Sequence, residues 1–287
     1  MDIAVHAGYA KVQQLVRMRR YKEALAEAEN LLRQTPEEPN TYALIGWIHS
    51  LTDNHDKALH FSGEALARDP ENRLAWHVRV TVFYETDRER EFEEALAEAL
   101  RVDPYEDHYY FLKAARLNKK GKFKDAKEQL MRALELNPES AHNLALLAYT
   151  EALLDNDEES RKAEREALQR ETEDAIVYMH LAWAASRRGE YDPAERYMAN
   201  AVRLNPENKQ VRDEYLEALQ KSNKFYRIFL WPAKILRKLK PWQILVSWIV
   251  AWILFKPLII LFIVLYVLAH WISMGIVRVR VFGWRMR

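Results

Sequence analysis

Cysteine is absent from all 287 residues. That excludes a disulfide framework, a thiolate metal site and thiol catalysis, and it suits a reducing compartment. Glycine is scarce, at seven residues. No glycine-rich phosphate loop, zinc-protease helix motif or G-x-S-x-G elbow occurs, so neither an enzyme nor a cofactor is expected. Acidic residues stop at Glu217, and residues 218–287 hold twelve Lys/Arg with no Asp or Glu. The first 217 residues carry the other 31 Lys/Arg against 42 Asp/Glu, a formal net of −11 joined to a tail of +12. A domain this acidic repels phosphate, and a nucleic-acid partner is not expected. The N-terminus has no basic flank followed by an apolar core, so no signal peptide is expected. The acidic domain should then stay on the side where it was made.

What the chain does have is a period. Pro36, Pro70, Pro104, Pro138 and Pro206 are spaced by 34 or a multiple of it, with Thr172 in the missing slot. Ala24, Ala58, Phe92, Ala126, Ser160 and Ala194 keep the same register, as do Tyr42, Trp76, Tyr110, Leu144 and Tyr178, with Gly8 breaking that column in the first unit. A period of this length marks stacked two-helix units. Proline ends the second helix of each unit, small Ala positions allow close helix approach, and the aromatic fills the space opposite. Gly121, Gly189, Asp53, Asp87 and Asp155 tolerate the turn backbone between paired helices.

Tyr42-Ala-Leu-Ile-Gly46, Tyr178-x-x-Leu181-Ala182, Gly189-Glu-Tyr191-x-x-Ala194 and Ala201-Val-x-Leu-Asn-Pro206 resemble the tetratricopeptide repeat (TPR) signature. The resemblance covers residues 5–208 and implies an all-α fold: a right-handed α-solenoid of about six helix-turn-helix repeats, closed by a capping helix at 209–221. The whole domain would span 1–221. The third repeat departs from the signature at Arg79, Val80 and Phe92, and the fifth at Glu151, Ser160 and Thr172; irregular or loose packing is expected there. TPR proteins line a concave surface with the first helix of each unit. The resemblance therefore implies a partner-binding wall at Tyr9, Gln13, Trp47, His77, Tyr84, Phe111, Asn118, Tyr149, Met179, Trp183 and Arg187. Rings in such a wall either capture an apolar segment of a partner or pack adjacent helices, and the sequence leaves both open. The Lys and Asn clamp of chaperone-binding relatives is missing, since its positions hold Tyr9, Gln13, Ala43, His77 and Thr81.

The tail reads differently. Over 222–241, aromatic and aliphatic residues alternate with Lys and Arg at helical spacing, as in an interfacial amphipathic helix; a basic face packed on the acidic domain is the alternative. Residues 242–277 are apolar apart from Lys256-Pro257. A hairpin turning there would keep Lys256 out of mid-membrane, where it costs about 3 kcal/mol, and would place both basic flanks in the cytoplasm. One span at 258–277 preceded by an in-plane helix is the second topology. A basic end, 278–287, follows, either as a short strand or as disordered chain on lipid headgroups. Lys224, Arg227, Trp231, Lys234, Arg237, Lys238, Lys240, Trp242, Trp271, Arg278, Arg280 and Trp284 are expected at the membrane surface, facing anionic lipid.

Metal chemistry has little support. His49, His55 and His60 straddle a turn without ligand spacing, and Asp155-Asn-Asp-Glu-Glu159 lacks the glycine and distal glutamate of a calcium loop. The sequence therefore predicts an integral membrane adaptor, its repeats on the cytoplasmic face of a bacterial cell membrane, recruiting a protein partner through the wall. The alternative is an oligomerising or membrane-shaping protein in which the hairpin acts and the repeats self-assemble into a homo-oligomer.

Overall fold

The computed structural model describes residues 3–170, 173–223, 226 and 241–282. Those residues are helical, with no strand among them, and they form two compact units, Met1–Pro138 and Glu139–Arg287.

The first unit contains α1 (Ile3–Arg17), α2 (Tyr21–Gln34), α3 (Pro39–Ser50), α4 (His55–Arg68), α5 (Arg73–Glu85), α6 (Glu89–Val102), α7 (Asp107–Lys119) and α8 (Phe123–Leu136). The second contains α9 (Ala141–Leu153), α10 (Asp157–Gln169), α11 (Ala175–Arg188), α12 (Tyr191–Leu204), α13 (Lys209–Ser222) and a long helix, α14 (Pro241–Phe282). Odd-numbered helices up to α11 pack on the even-numbered helix that follows, and α3 packs beside α5 and α9 beside α11.

Local chemistry repeats with the sequence period. Each helix from α3 to α13 that opens a unit is capped by a side chain 34 residues from the next: Glu38, Asn72, Glu106, Ser140, Asp174 and Asn208 accept from backbone N–H groups of the first turn. Each cap satisfies one donor that the helix leaves unpaired. Within each unit the turn passes through one left-handed residue: Arg19, Asp53, Asp87, Gly121, Asp155 and Gly189, with φ between 55° and 79°. The aromatic column has a polar role as well. Tyr42, Trp76 and Tyr110 donate from their ring tips to the carbonyls of Pro36, Pro70 and Pro104 at 2.9, 2.9 and 3.1 Å, and Arg212 does the same to Pro206 at 3.2 Å. Gly8 keeps the packing of its column by exchanging volumes. A Cβ there would stand 2.5 Å from Leu31, which occupies the slot that holds Ala65, Ala99, Ala133, Ala167 and Ala201 in later units.

The fifth repeat is tied down, not loose, because polar side chains in apolar slots find one another. Ser160, fully buried, donates to the Ala148 carbonyl at 2.7 Å and accepts from the Arg188 guanidinium at 2.6 Å. Glu151 is buried against Asn156, whose amide donates to it at 2.7 Å. Thr172 lies outside the described residues. The third repeat does depart from its neighbours. In the adjoining repeats the pair that sets helix approach is small, Gly46 with Ala58 and Ala114 with Ala126; here it is Val80 with Phe92, both fully buried. The backbones of α5 and α6 run close together along less of their length than those of α3 and α4.

The tail corrects two expectations. No hairpin turns at Lys256-Pro257: α14 is helical through both residues. A proline inside a helix forfeits one backbone bond, whereas a turn would strand four carbonyls and four N–H groups in an apolar run without a Gly or Asn to make it. The basic end also begins as helix, not as strand or disordered chain, since α14 continues through Arg278 and Arg280 to Phe282.

Candidate functional site

In the first unit the predicted wall residues fall into three groups. Tyr9 and Trp47 are half-buried against the core of Val12, Leu31, Ile45 and Ile48, and the Tyr9 hydroxyl bonds the buried Thr41 hydroxyl. Gln13 is exposed on α1. His77 stacks on His108 with ring centroids 4.9 Å apart, and His108 stacks on Phe111 at 5.9 Å. Burial holds the His77 imidazole below its ordinary value. Phe111 is itself buried and serves the core, not the surface. Tyr84 is half-buried over Phe92, with the Arg116 guanidinium 5.0 Å from its ring; Asn118 is half-buried two residues further along α7. Arg116, buried, grips the α5–α6 turn through the Tyr84 carbonyl at 3.0 Å and Asp87 at 2.8 Å.

In the second unit Tyr149 and Trp183 tilt together at 5.6 Å. The Trp183 indole N–H donates to Glu214 of α13 at 3.0 Å, and His180 meets its ring edge-on at 5.3 Å. Met179 packs half-buried on the same cluster, and Arg187 pairs with Asp155 at 3.8 Å. Burial raises the Tyr149 phenol, and it pushes His180 down to about 3. Tyr149, Trp183 and Arg187 are therefore neighbours, on a face with apolar rings and one cation.

Sequence reasoning missed the partners that position these rings: Thr41, His108 and Glu214. It also missed a cavity of about 430 Å³ in the first unit, lined by Leu66, Trp76, Phe83 and Ala95 together with Arg79, Glu91, Glu94 and Glu98. Of the departures at Arg79, Val80 and Phe92, Arg79 lines it. The histidines near the α3–α4 turn bind rings and a carboxylate: His49 and His60 lie against Phe61, and His55 is 3.9 Å from Glu85. Among the described residues no three His, Asp or Glu side chains are grouped to hold a metal.

Of the predicted membrane-surface residues, Trp242 and Trp271 are exposed on α14, and Arg278 and Arg280 lie on its backbone near the end. Lys224, Arg227, Trp231, Lys234, Arg237, Lys238, Lys240 and Trp284 lie outside the described residues. Among the described residues, one stretch, Ile260–Val277, is long and apolar enough to cross a membrane by length and composition.

The family profile described as tetratricopeptide repeat matches residues 107–140 and 175–208. No curated protein sequence matches the chain. Solved structures resemble it over most of its length. A chain of the APC/C hetero-tetramer Cut9-Hcn1 is 17% identical with a TM-score of 0.63, over 74% of this chain and 42% of that one. A tetratricopeptide repeat protein from Parabacteroides merdae is 12% identical with a TM-score of 0.59, over 75% and 84%. PilF of Pseudomonas aeruginosa is 19% identical with a TM-score of 0.57, over 75% and 96%. Identities this low speak for shared fold alone. The chain carries tetratricopeptide repeats at 107–140 and 175–208, and its helix pairs have the all-α TPR fold.

Proposed function

We propose that this chain is a membrane-anchored scaffold whose repeats hold a protein partner near a bilayer. TPR proteins generally mediate protein–protein interaction, and the ring-lined faces of α1, α3, α5 and α7 in one unit and of α9 and α11 in the other are suited to apolar side chains of a partner. The observation that carries the anchor is the exposure of α14. Every described side chain from Ile260 to Leu268 is exposed, between 38% and 55%, although all are apolar or aromatic. A core helix of a soluble protein would be covered. Burying one such side chain contributes about 1.5–3 kcal/mol, so nine of them favour lipid far more strongly than any single polar residue opposes it. The exposed apolar surface is also far beyond what soluble monomers show.

Fixing the repeats at a surface raises the effective concentration of whatever they bind. A single continuous helix puts the two basic flanks on opposite sides of a bilayer, so flank charge no longer selects an orientation. The test pairs location with capture. The full chain, purified from native membranes with its partner, should lose that partner at least about ten-fold, or 1.4 kcal/mol, on Gln13→Arg with Arg187→Glu. Gln13 is exposed, and the Arg187–Asp155 pair that is lost is solvent-exposed, so stability should fall by no more than about 1 kcal/mol. Unchanged co-purification would show that the partner binds elsewhere. Self-association as the sole interaction would favour the oligomer reading.

A further inference from the structure

The long helix is exposed along most of its length but not all. Ala269, Ser273 and Val277, one per turn on a single stripe, are 2%, 2% and 6% exposed, and the element that α14 packs against is α13. The contact is polar at its centre. The Gln220 side chain of α13, itself buried, donates to the Ser273 hydroxyl at 2.9 Å and to the His270 carbonyl at 3.2 Å, with the His270 ring nitrogen at 3.3 Å. The Tyr226 hydroxyl approaches the same ring nitrogen at 3.4 Å. Beside this contact Glu195, Ser222 and Asn223 face Ile276 and Val277 across a cavity of about 290 Å³, and the Lys221–Glu217 ion pair lies within a turn of Gln220.

This contact conflicts with a bilayer in either possible position. If lipid surrounds Ile260–Val277, the docked stripe is the second half of the span. Hydrocarbon would then meet α13 with its Glu217 and Lys221, the Asn223 that follows it, and Glu195 of α12. A charge at that depth costs about 3 kcal/mol even on an isolated helix. If instead the bilayer is moved to the helix residues before Ala269, α14 enters it at Pro241 on the far side from α13. Asn223 is beside Ile276, about 50 Å from Pro241 at 1.5 Å per residue. The connection 224–240 would then have to pass the bilayer too, carrying Lys224, Arg227, Lys234, Arg237, Lys238 and Lys240 and no acidic residue. Six cations make that crossing far costlier than any gain from the dock.

We infer that the docked and the inserted states of this chain exclude one another. Helix α13 is a clasp that holds the apolar tail through Gln220, His270 and Ser273, and the bilayer displaces it. The inference rests on the anchor reading above. In the clasped state the TPR cap covers part of the tail outside the membrane. On insertion, Gln220 and the end of α13 become free surface, so insertion and exposure of the last repeat's cap are coupled.

The lack of native cysteine makes the test direct. Full-length chain carrying Ser222→Cys and Ile276→Cys, which face each other beside the dock and leave Gln220, His270 and Ser273 in place, is treated with a short bismaleimide, once in detergent micelles and once after reconstitution into phosphatidylethanolamine–phosphatidylglycerol vesicles. Flotation of the same vesicle sample reports anchoring. The clasp predicts efficient intramolecular cross-linking in micelles and at least ten-fold less in floated vesicles. Equal cross-linking in both, in chain that floats, overturns the clasp while leaving the anchor intact. No cross-link in either overturns the dock itself. Chain that does not float overturns both.

Discussion

Arg188 is the sharpest place to perturb the repeat fold, because its guanidinium is fully buried and every bond it makes there can be named. It donates to Ser160 at 2.6 Å, to Glu190 at 2.7 and 3.1 Å, and to Glu164, whose carboxylate is 13% exposed. Glu164 in turn accepts from the Tyr197 hydroxyl at 2.7 Å, and Glu190 from Arg161 at 2.7 and 2.9 Å. Arg188→Met keeps most of the side-chain volume and removes the charge. Glu164 is left buried without its cation, and Ser160 loses a donor. Removing one partner of a buried pair costs about 3–5 kcal/mol. Arg90→Met makes the control: its pair with Glu94 has side chains 87% and 64% exposed, where about 0–1 kcal/mol is at stake. The assay is urea denaturation of the detergent-solubilised full chain, followed by far-ultraviolet ellipticity. Glu164→Gln added to Arg188→Met should restore at least about 1 kcal/mol, since a neutral amide is cheaper to bury than an unpaired carboxylate. The network also has a pH signature. Burial pushes the Glu190 carboxyl up, but the bonds from Arg188 and Arg161 outweigh it and hold it below its ordinary 4.5. Its contribution is therefore present above that value and lost as pH falls through the lower folded value. A loss for Arg188→Met no larger than for Arg90→Met would refute the reasoning, because it would mean the guanidinium is solvated.

Two further outcomes follow from single positions. Arg19→Gly should stabilise the first unit by about 0.5–1 kcal/mol in a thermal melt, because a left-handed backbone costs an L-residue about 1–2 kcal/mol and glycine's extra chain entropy offsets part of the relief; Gly121→Ala, with nothing within 4 Å of its new Cβ, should destabilise from backbone strain alone. His180→Leu should remove a pH dependence: the buried imidazole is held down to about 3 against an ordinary 6.5, the unfolded chain binds the proton first, and stability therefore falls by up to about 1.4 kcal/mol per unit as pH drops from 6.5 towards 3. Urea midpoints of wild type that do not change between pH 7 and 5 would contradict the burial of that ring.

Much of the fold is legible in the sequence because size and backbone demands recur in the same slot. The small residues at Ala24, Ala58, Ala126 and Ala194 and the proline column need no knowledge of the fold to be seen. The cap column, Glu38 to Asn208, escapes notice because four residue types perform one task. Arg19 escapes because its side chain gives no hint of a left-handed backbone. Ser160 looks like a defect until Arg188, 28 residues away, is brought to it. At the candidate wall the sequence locates a face but not depth: Phe111 is buried while Gln13 is open, and both occupy wall positions. The hairpin at Lys256-Pro257 fails because the cost of Lys256 in lipid and the charge of the flanks speak only of the membrane, whereas locally a helix gives up one backbone bond at Pro257 and a turn without Gly or Asn would strand several.

The central claim is that the apolar C-terminal helix holds the repeats to lipid. Alkaline carbonate extraction of native membranes, followed by flotation, tests it most directly. The full chain should rise with the lipid, and a chain ending at residue 221 should stay in the soluble fraction. Full chain recovered free of lipid, without detergent and unaggregated, would contradict the account.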